Sequence, residues 1–330
     1  MGSAADPVVD AAVGGDETAF AALVERHRRE LQVHCYRMLG SLDESEDLVQ
    51  EAFLRAWKHL DAFQGRSTFR AWLYRIATNA CLDHLERDPR RPVPVAGAPG
   101  CSEVPWLSPF PDRLLDQVAP EADEPAAVVV ARETIELAFL VAVQHLPPRQ
   151  RAVLMLRDVL GWPASETAEL LGWSIASVNS AVQRARATLR EHLPERRAEW
   201  TSPGAGEEER AVLQRFVEAT EKADVAALGA LLREDAIFSM PPEPGWFRGR
   251  DVIMASWGPV MVGPEAIGEF RLVPVAANRQ PAAANYIRRP GTREFEALSV
   301  DVLRIEDGAI AEVTTFGPDT FPLFGLPAVL

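Results

Sequence analysis

Cysteine is scarce in this chain. Cys35, Cys81 and Cys101 are the three present in 330 residues, an odd number without C-x-x-C spacing, which argues against a disulfide framework and against a structural zinc. Long apolar runs are missing too, since residues 126–131 and 137–143 fall far short of the ~18–20 a membrane helix needs. No basic stretch followed by an apolar one opens the chain, so no secretory signal is visible and the expected location is the cytoplasm. Lysine is nearly absent, with Lys58 and Lys222 the only two among 34 basic residues. Arginine suits bidentate contacts to phosphate or bases, although a GC-rich genome produces the same bias. Finally, all six histidines (27, 34, 59, 84, 145 and 192) precede residue 200, which excludes imidazole or thiol catalysis from the last third of the chain.

What is present reads as an ordinary soluble chain of two or three domains, 47% hydrophobic and 25% charged. The net charge is −14, unpromising for an anionic partner until its distribution is considered. Residues 133–199 balance eight basic against eight acidic side chains, whereas 200–330 carry twelve against nineteen. A nucleic-acid footprint would therefore be a local face.

Residues 16–87, within a first domain of 1–87, are predicted to be helical, from the stripe Phe20, Leu23, Val24, His27, Leu31 and then Leu48, Ala52, Phe53, Ala56, Trp57, Leu60. Ser41 or Asp43 can cap the second helix. A third begins near Ser67, with Phe69, Trp72, Leu73, Ile76, Ala77 and Ala80 on one stripe. Residues 88–125 hold nine prolines among 38 residues, too many for helices or sheets, and read as an extended acidic linker. Trp106, Leu107, Phe110 and Leu114 are apolar for a spacer and should dock on the protein's own surface or on a partner. Helices return over 126–199, a short junction follows at 200–206, and 207–330 turns from helices to strands, an α+β pattern. Phe295, Leu298, Val300, Val302 and Ile305 alternate as a strand, Asp307-Gly308 signals a hairpin, and Ile310, Val313 and Phe316 continue beyond it.

The most informative stretch is 165–189. A short helix stops at Gly172, Ser174 caps a second, and that helix is expected to bury Ile175, Val178, Val182, Ala185 and Leu189. Its other face offers Ser177, Ser180, Gln183 and Arg184, with Asn179 and Arg186 at the margins. Small polar residues at the leading end admit the helix to a major groove, and arginines further along reach phosphates. This is a helix-turn-helix.

The run Asp47-Leu48-Val49-Gln50-Glu51-Ala52-Phe53-Leu54-Arg55-Ala56-Trp57, with 63–79 after it, resembles region 2 of the extracytoplasmic-function sigma factors, and 133–197, including Leu146-Pro147-Pro148-Arg149-Gln150-Arg151, resembles their region 4. Residues 207–330 are similar to the SnoaL-like, NTF2-like α+β cone domains appended to a subset of these factors. The resemblance implies a multidomain chain: a region 2 helical bundle, a region 4 helix-turn-helix and an α+β cone. It implies a specificity subunit of RNA polymerase, with core polymerase (the β′ clamp helices and the β flap) and promoter DNA as partners. Asp47, Gln50, Glu51, Leu54, Arg55 and Lys58 would face the clamp helices. Arg66, Phe69, Trp72, Arg75 and Asn79 would melt and hold the −10 element, with Phe69 and Trp72 equally readable as core. Ser177, Asn179, Ser180, Gln183, Arg184 and Arg186 would read the −35 element. Many members carry a lysine and an arginine where this chain has Asn179 and Ala181, which weakens the expected −35 affinity. The linker would thread the polymerase cleft.

Two other readings compete. A ligand-responsive helix-turn-helix regulator gives no reason for 47–79, and an NTF2-like enzyme lacks a histidine. The titratable residues open to such an enzyme are Tyr286 with Asp235, Asp301 and Glu296, of which Asp235 reads better as a turn or cap. Met240, Trp246, Phe247, Trp257 and Met261 either line a pocket mouth or form core. The last domain is expected to be no enzyme, and to regulate through the linker, region 2 or a small ligand. No metal, cofactor or membrane partner is expected, and His34-Cys35 lacks chelating spacing.

Overall fold

Helix starts in the first third of the chain are set by short polar caps. Asp6, Asp16 and Ser41 accept the free amide hydrogens at the heads of α1 (Pro7–Val13), α2 (Glu17–Leu39) and α3 (Leu42–Lys58). Gly40, at φ 77°, ends α2 in the left-handed conformation. With α4 (Phe69–Arg87) these helices bury Leu23, Leu31, Leu39, Ala52, Phe53, Leu73 and Ala77. The computed structural model describes residues 6–65, 67–87, 94–95, 98–116, 134–193, 206–243 and 245–330. They fall into two units, one holding residues up to 87 with 142–193, the other 94–116, 134–141 and 206–330, the division lying within α5 (Leu137–Gln144).

In the first unit the chain continues through α6 (Pro148–Leu154), a wider π turn over Met155–Val159, α7 (Ala164–Leu171) and α8 (Ile175–His192). Gly172 closes α7 at φ 66°, and Ser174 Oγ accepts the Ser177 N–H at 3.1 Å to start α8, as the sequence predicts. Arg151 is buried, and its guanidinium donates to the Met38 carbonyl, to Gln144 Oε1 (2.5 Å) and to the Gln144 and Leu146 carbonyls (3.0 and 3.1 Å). One side chain thus satisfies the polar backbone where α6 meets the end of α2.

The second unit is built on one six-stranded sheet of order β2-β1-β6-β5-β4-β3. Its strands are β1 (Leu232–Ser239), β2 (Trp246–Arg248), β3 (Glu269–Ala277), β4 (Gln280–Arg288), β5 (Glu296–Glu306) and β6 (Ala309–Phe316), and β1 and β6 are the parallel pair. Asp307 (φ 52°) and Gly308 (φ 74°) make the hairpin turn expected there. Helices α9 (Glu207–Glu221), α10 (Val225–Leu231) and α11 (Arg250–Met261) pack on one face, over Ala283, Leu303 and Val313. On the opposite face Ala282, Val300, Val302 and Thr314 are also buried. A sheet apolar on both faces needs two covers.

Residues 98–116 help to supply the second cover. The proline-rich stretch reads as a spacer, but its backbone is tied down and Cys101, Val104, Leu107 and Phe110 are buried. The physical reason is that proline forbids regular elements but not packing, and the apolar side chains between the prolines find the sheet's outer face. Two further readings are revised. Ile175, expected to be buried, is 51% exposed in the first turn of α8. Asp235, expected in a turn or cap, lies in β1 and pairs with Arg233 at 2.8 Å.

Candidate functional site

On α3, Asp47, Gln50, Leu54 and Lys58 are exposed, while Glu51 and Arg55 are half-buried. Arg55 is engaged within the bundle, donating to Glu51 Oε1 at 2.8 Å and to Asp83 of α4 at 2.9 Å. Leu54 is 55% exposed, and Trp57, read from the sequence as part of the buried stripe, is 38% exposed beside Phe20 at 4.9 Å between ring centres. With Phe53, Val24 and Gln50 these residues line an open groove between α2 and α3. An apolar centre with a polar margin is the composition of a protein-binding patch.

Of the −10 candidates, Arg66 lies outside the described residues. Phe69 is buried in a triangle with Phe63 and Trp72, all three ring centres 5.4–5.5 Å apart. Trp72 and Asn79 are half-buried and Arg75 is exposed, 3.7 Å from Glu169 of α7. A polar network holds this helix against α2. Glu30 accepts from Arg70 Nε (2.6 Å) and from the Tyr74 hydroxyl (3.2 Å) and sits 2.5 Å from His27 Nδ1. Burial works against its ionisation, yet the His27 hydrogen bond and the Arg70 guanidinium outweigh burial and hold the carboxyl below its ordinary range. His34 shares a 2.9 Å hydrogen bond with Thr78, and burial, reinforced by Arg37, pushes its imidazole down to about 3.

On α8, Ser177, Asn179, Ser180, Gln183, Arg184 and Arg186 are all exposed. Arg186 is already occupied: its guanidinium forks onto both oxygens of Asp158, each at 2.8 Å. Ala181 is fully buried, so a cation at that position would point into the protein rather than at DNA.

In the second unit, Asn278 is buried in the β3–β4 turn at φ 56° and holds two segments, the linker at Phe110 and the chain at Ile135. Its Oδ1 accepts the Phe110 N–H at 2.8 Å, its own N–H donates to the Phe110 carbonyl at 2.8 Å, and its Nδ2 donates to the Ile135 carbonyl at 2.7 Å. Arg279 adds bonds to Asp112 and Asp116, Gln280 accepts the Leu137 N–H, and the Arg113 guanidinium reaches the Leu323 carbonyl. Glu312 Oε1 accepts the Cys101 N–H at 2.9 Å while its other oxygen takes Arg304 Nε at 3.1 Å. Beside it, Gly100 at φ 56° leaves no room for a Cβ, which would fall on the Glu312 carboxylate. None of these anchors has a local sequence signal, because each joins residues more than 140 positions apart.

The sheet and its helices form a half-open cavity of about 570 Å³. Met240, Phe247, Trp257 and Met261 line it, whereas Trp246 is 42% exposed on the edge strand. Of the acid/base candidates, Asp301 alone lines this cavity. Tyr286 lies elsewhere, its hydroxyl donated to the Pro327 carbonyl at 2.9 Å and its ring against Phe321, and Glu296 is exposed.

Three family matches lie along the chain: Sigma-70 region 2 over residues 23–91, Sigma-70 region 4 over 136–189, and a SnoaL-like domain over 213–313. The chain is 41% identical over 326 residues to the ECF RNA polymerase sigma factor SigG of Mycobacterium tuberculosis, spanning 93% of this chain and 84% of that one. The chain belongs to the extracytoplasmic-function RNA polymerase sigma factors. It is also 33% identical over 182 residues to SigW of Bacillus subtilis, a match covering 54% of this chain and 91% of that one. The crystal structure of Mycobacterium tuberculosis SigJ shares the fold, with a TM-score of 0.59 and 23% identity over 93% of this sigma factor and 99% of that chain. As a sigma factor the protein works with core RNA polymerase on promoter DNA, and the region 2 match accounts for the residues that a simple helix-turn-helix regulator left without a role. Among the described residues no helix is long and apolar enough to cross a membrane.

Proposed function

We propose that this sigma factor acts in the cytoplasm through three surfaces and is restrained by its own C-terminal domain. The groove around Leu54 and Trp57 takes the β′ clamp helices, Trp72, Arg75 and Asn79 of α4 hold the −10 strand together with Arg66 from the preceding sequence, and the exposed face of α8 reads the −35 element, with region 4 also meeting the β flap. Exposed apolar groups suit the first role and exposed arginine and amides the others. Phe69 supports the −10 surface by packing under Trp72. The domain boundaries follow the sequence reading, 1–87, 126–199 and 207–330 around the linkers 88–125 and 200–206.

The observation that carries the restraint is the bonding of linker residues 101, 110, 112 and 116 to the C-terminal sheet. A linker that threads a polymerase cleft needs its backbone free, and here that backbone is spent on Asn278 and Glu312. The C-terminal domain is a holder rather than a catalyst, since the candidate acid and base groups do not converge: Asp301 is inside the sheet's cavity and Tyr286 is bonded elsewhere. Run-off transcription with core polymerase tests this. Phe110→Ala, which removes a fully buried anchor at a cost of about 3–5 kcal/mol, is expected to raise promoter-specific transcript yield over the wild-type chain. Equal yields across a range of core concentrations would remove the restraint from the account.

A further inference from the structure

The leading end of α8 carries no charge. From Ser174 to Gln183 no side chain is acidic or basic, and Arg184 is the first cation of the helix. Without arginine or lysine these first turns add little to the phosphate contacts that dominate affinity for DNA. The N-terminal residues of a recognition helix are, however, the ones that meet base edges.

What this end presents is apolar. Ile175 is 51% exposed in the first turn, whereas Val178 and Val182 behind it are buried. Ala176 beside it is exposed as well. The two hydroxyl groups of the turn are engaged with each other: Ser174 and Ser177 share a hydrogen bond of 2.8 Å between their Oγ atoms, and Ser174 Oγ also accepts the Ser177 N–H at 3.1 Å. Helical side chains lean toward the N-terminus of their helix, so the first residue of α8 is directed to the end that enters the groove. Asn179, exposed one turn later, lies on the same side of the helix as Ile175. The base edges of the major groove offer hydrogen-bonding atoms and one apolar group, the C5-methyl of thymine. Contact with that methyl group removes apolar surface from water on both partners.

We propose that Ile175 reads a thymine of the −35 element by packing against its C5-methyl group. The inference rests on the reading of α8 as the −35 surface, and it adds to that reading one base and the side chain that selects it.

Selection by holoenzyme from promoter fragments randomised over the −35 element, with the wild-type chain and with Ile175→Ala, tests the proposal. The wild type is expected to enrich thymine at a position that Ile175→Ala leaves unselected, with selection at the other positions intact. In a fragment of the wild type's choice, deoxyuridine in place of that thymidine removes the methyl group and leaves the base pair unchanged. Wild-type holoenzyme should bind the uracil fragment about fourfold more weakly, the scale of one buried methyl group, and Ile175→Ala holoenzyme should bind the two fragments equally. Ile175→Val keeps a branched apolar side chain and should keep the discrimination, which separates contact with the base from a loss of folded region 4. No enriched thymine, equal binding of the two fragments by the wild type, or undiminished discrimination in Ile175→Ala would each overturn the inference and leave the −35 reading in place. A wild-type holoenzyme that enriches nothing over the −35 element, together with unchanged binding in Arg184→Ala, would overturn the reading of α8 and the inference with it.

Discussion

Asn278 and Phe110 exchange a reciprocal pair of hydrogen bonds, side-chain carbonyl to N–H and N–H to carbonyl, each 2.8 Å long, across 168 positions of sequence. The pair mimics the bonding of two β-strand residues, with the Asn278 side-chain oxygen standing in for a backbone carbonyl. It converts a proline-rich spacer into part of a domain.

Loss of that pairing should be readable in the linker itself. Asn278→Ala removes the side-chain bonds to Phe110 and Ile135 and places a Cβ residue without amide chemistry at positive φ, a combined cost of roughly 3 kcal/mol. Amide exchange of residues 98–116 is expected to accelerate by about two orders of magnitude, while exchange in α2–α4 stays as in the wild type. Unchanged protection of 98–116 would show that Asn278 is not an anchor.

Arg186 and Asp158 give an opposite kind of effect. Asp158→Ala frees a guanidinium on the DNA-facing helix, so holoenzyme affinity for −35-containing DNA should rise, with the salt slope steeper by about one unit. Arg184→Ala should weaken binding and make the slope shallower by a similar amount. Filter binding at several salt concentrations measures both.

His34 predicts a dependence of stability on pH. Its imidazole titrates near 6.5 when unfolded and near 3 in the fold, where it faces Arg37, Glu30 and Arg70. The unfolded chain therefore takes up the proton first as pH falls. The stabilisation is complete above about pH 6.5 and declines by about 1.4 kcal/mol per unit until about pH 3. Denaturant unfolding at pH 6.5 and pH 5 should show about 2 kcal/mol of this loss in the wild type and not in His34→Gln.

The α2–α3 groove makes a simpler prediction. Leu54→Asp and Trp57→Ala remove exposed apolar surface, so melting temperature should stay within a few degrees of wild type, while affinity for core polymerase falls tenfold or more, on the order of an interface hot spot. Co-migration with core polymerase measures the second quantity.

Local patterns made the helices legible. Period 3.6, an Asp or Ser cap and a terminal glycine are local properties, and they place α2, α3, α7 and α8 and the polar face of α8 as the structure has them. The Asp307-Gly308 hairpin is legible for the same reason. Trp57 and Ile175 misled because both sit at the rim of an apolar stripe, where periodicity cannot say how far the neighbouring helix extends. The hairpin turning at Asn278-Arg279 was missed because β4 opens on Gln280-Pro281 and then three alanines, which are poor strand formers, and burial on both faces erases alternation.

The sequence by itself determined the order of the domains, the helix-turn-helix and the polar face of α8, since these depend on neighbours within a few turns. Only the tertiary structure decided that Arg186 is held by Asp158, that Asp301 and not Tyr286 lines the cavity, and that linker residues 98–116 pack on the sheet. Each of those depends on which distant strand or helix supplies the partner, and hydrogen bonds and packing carry no trace of that choice in either local sequence.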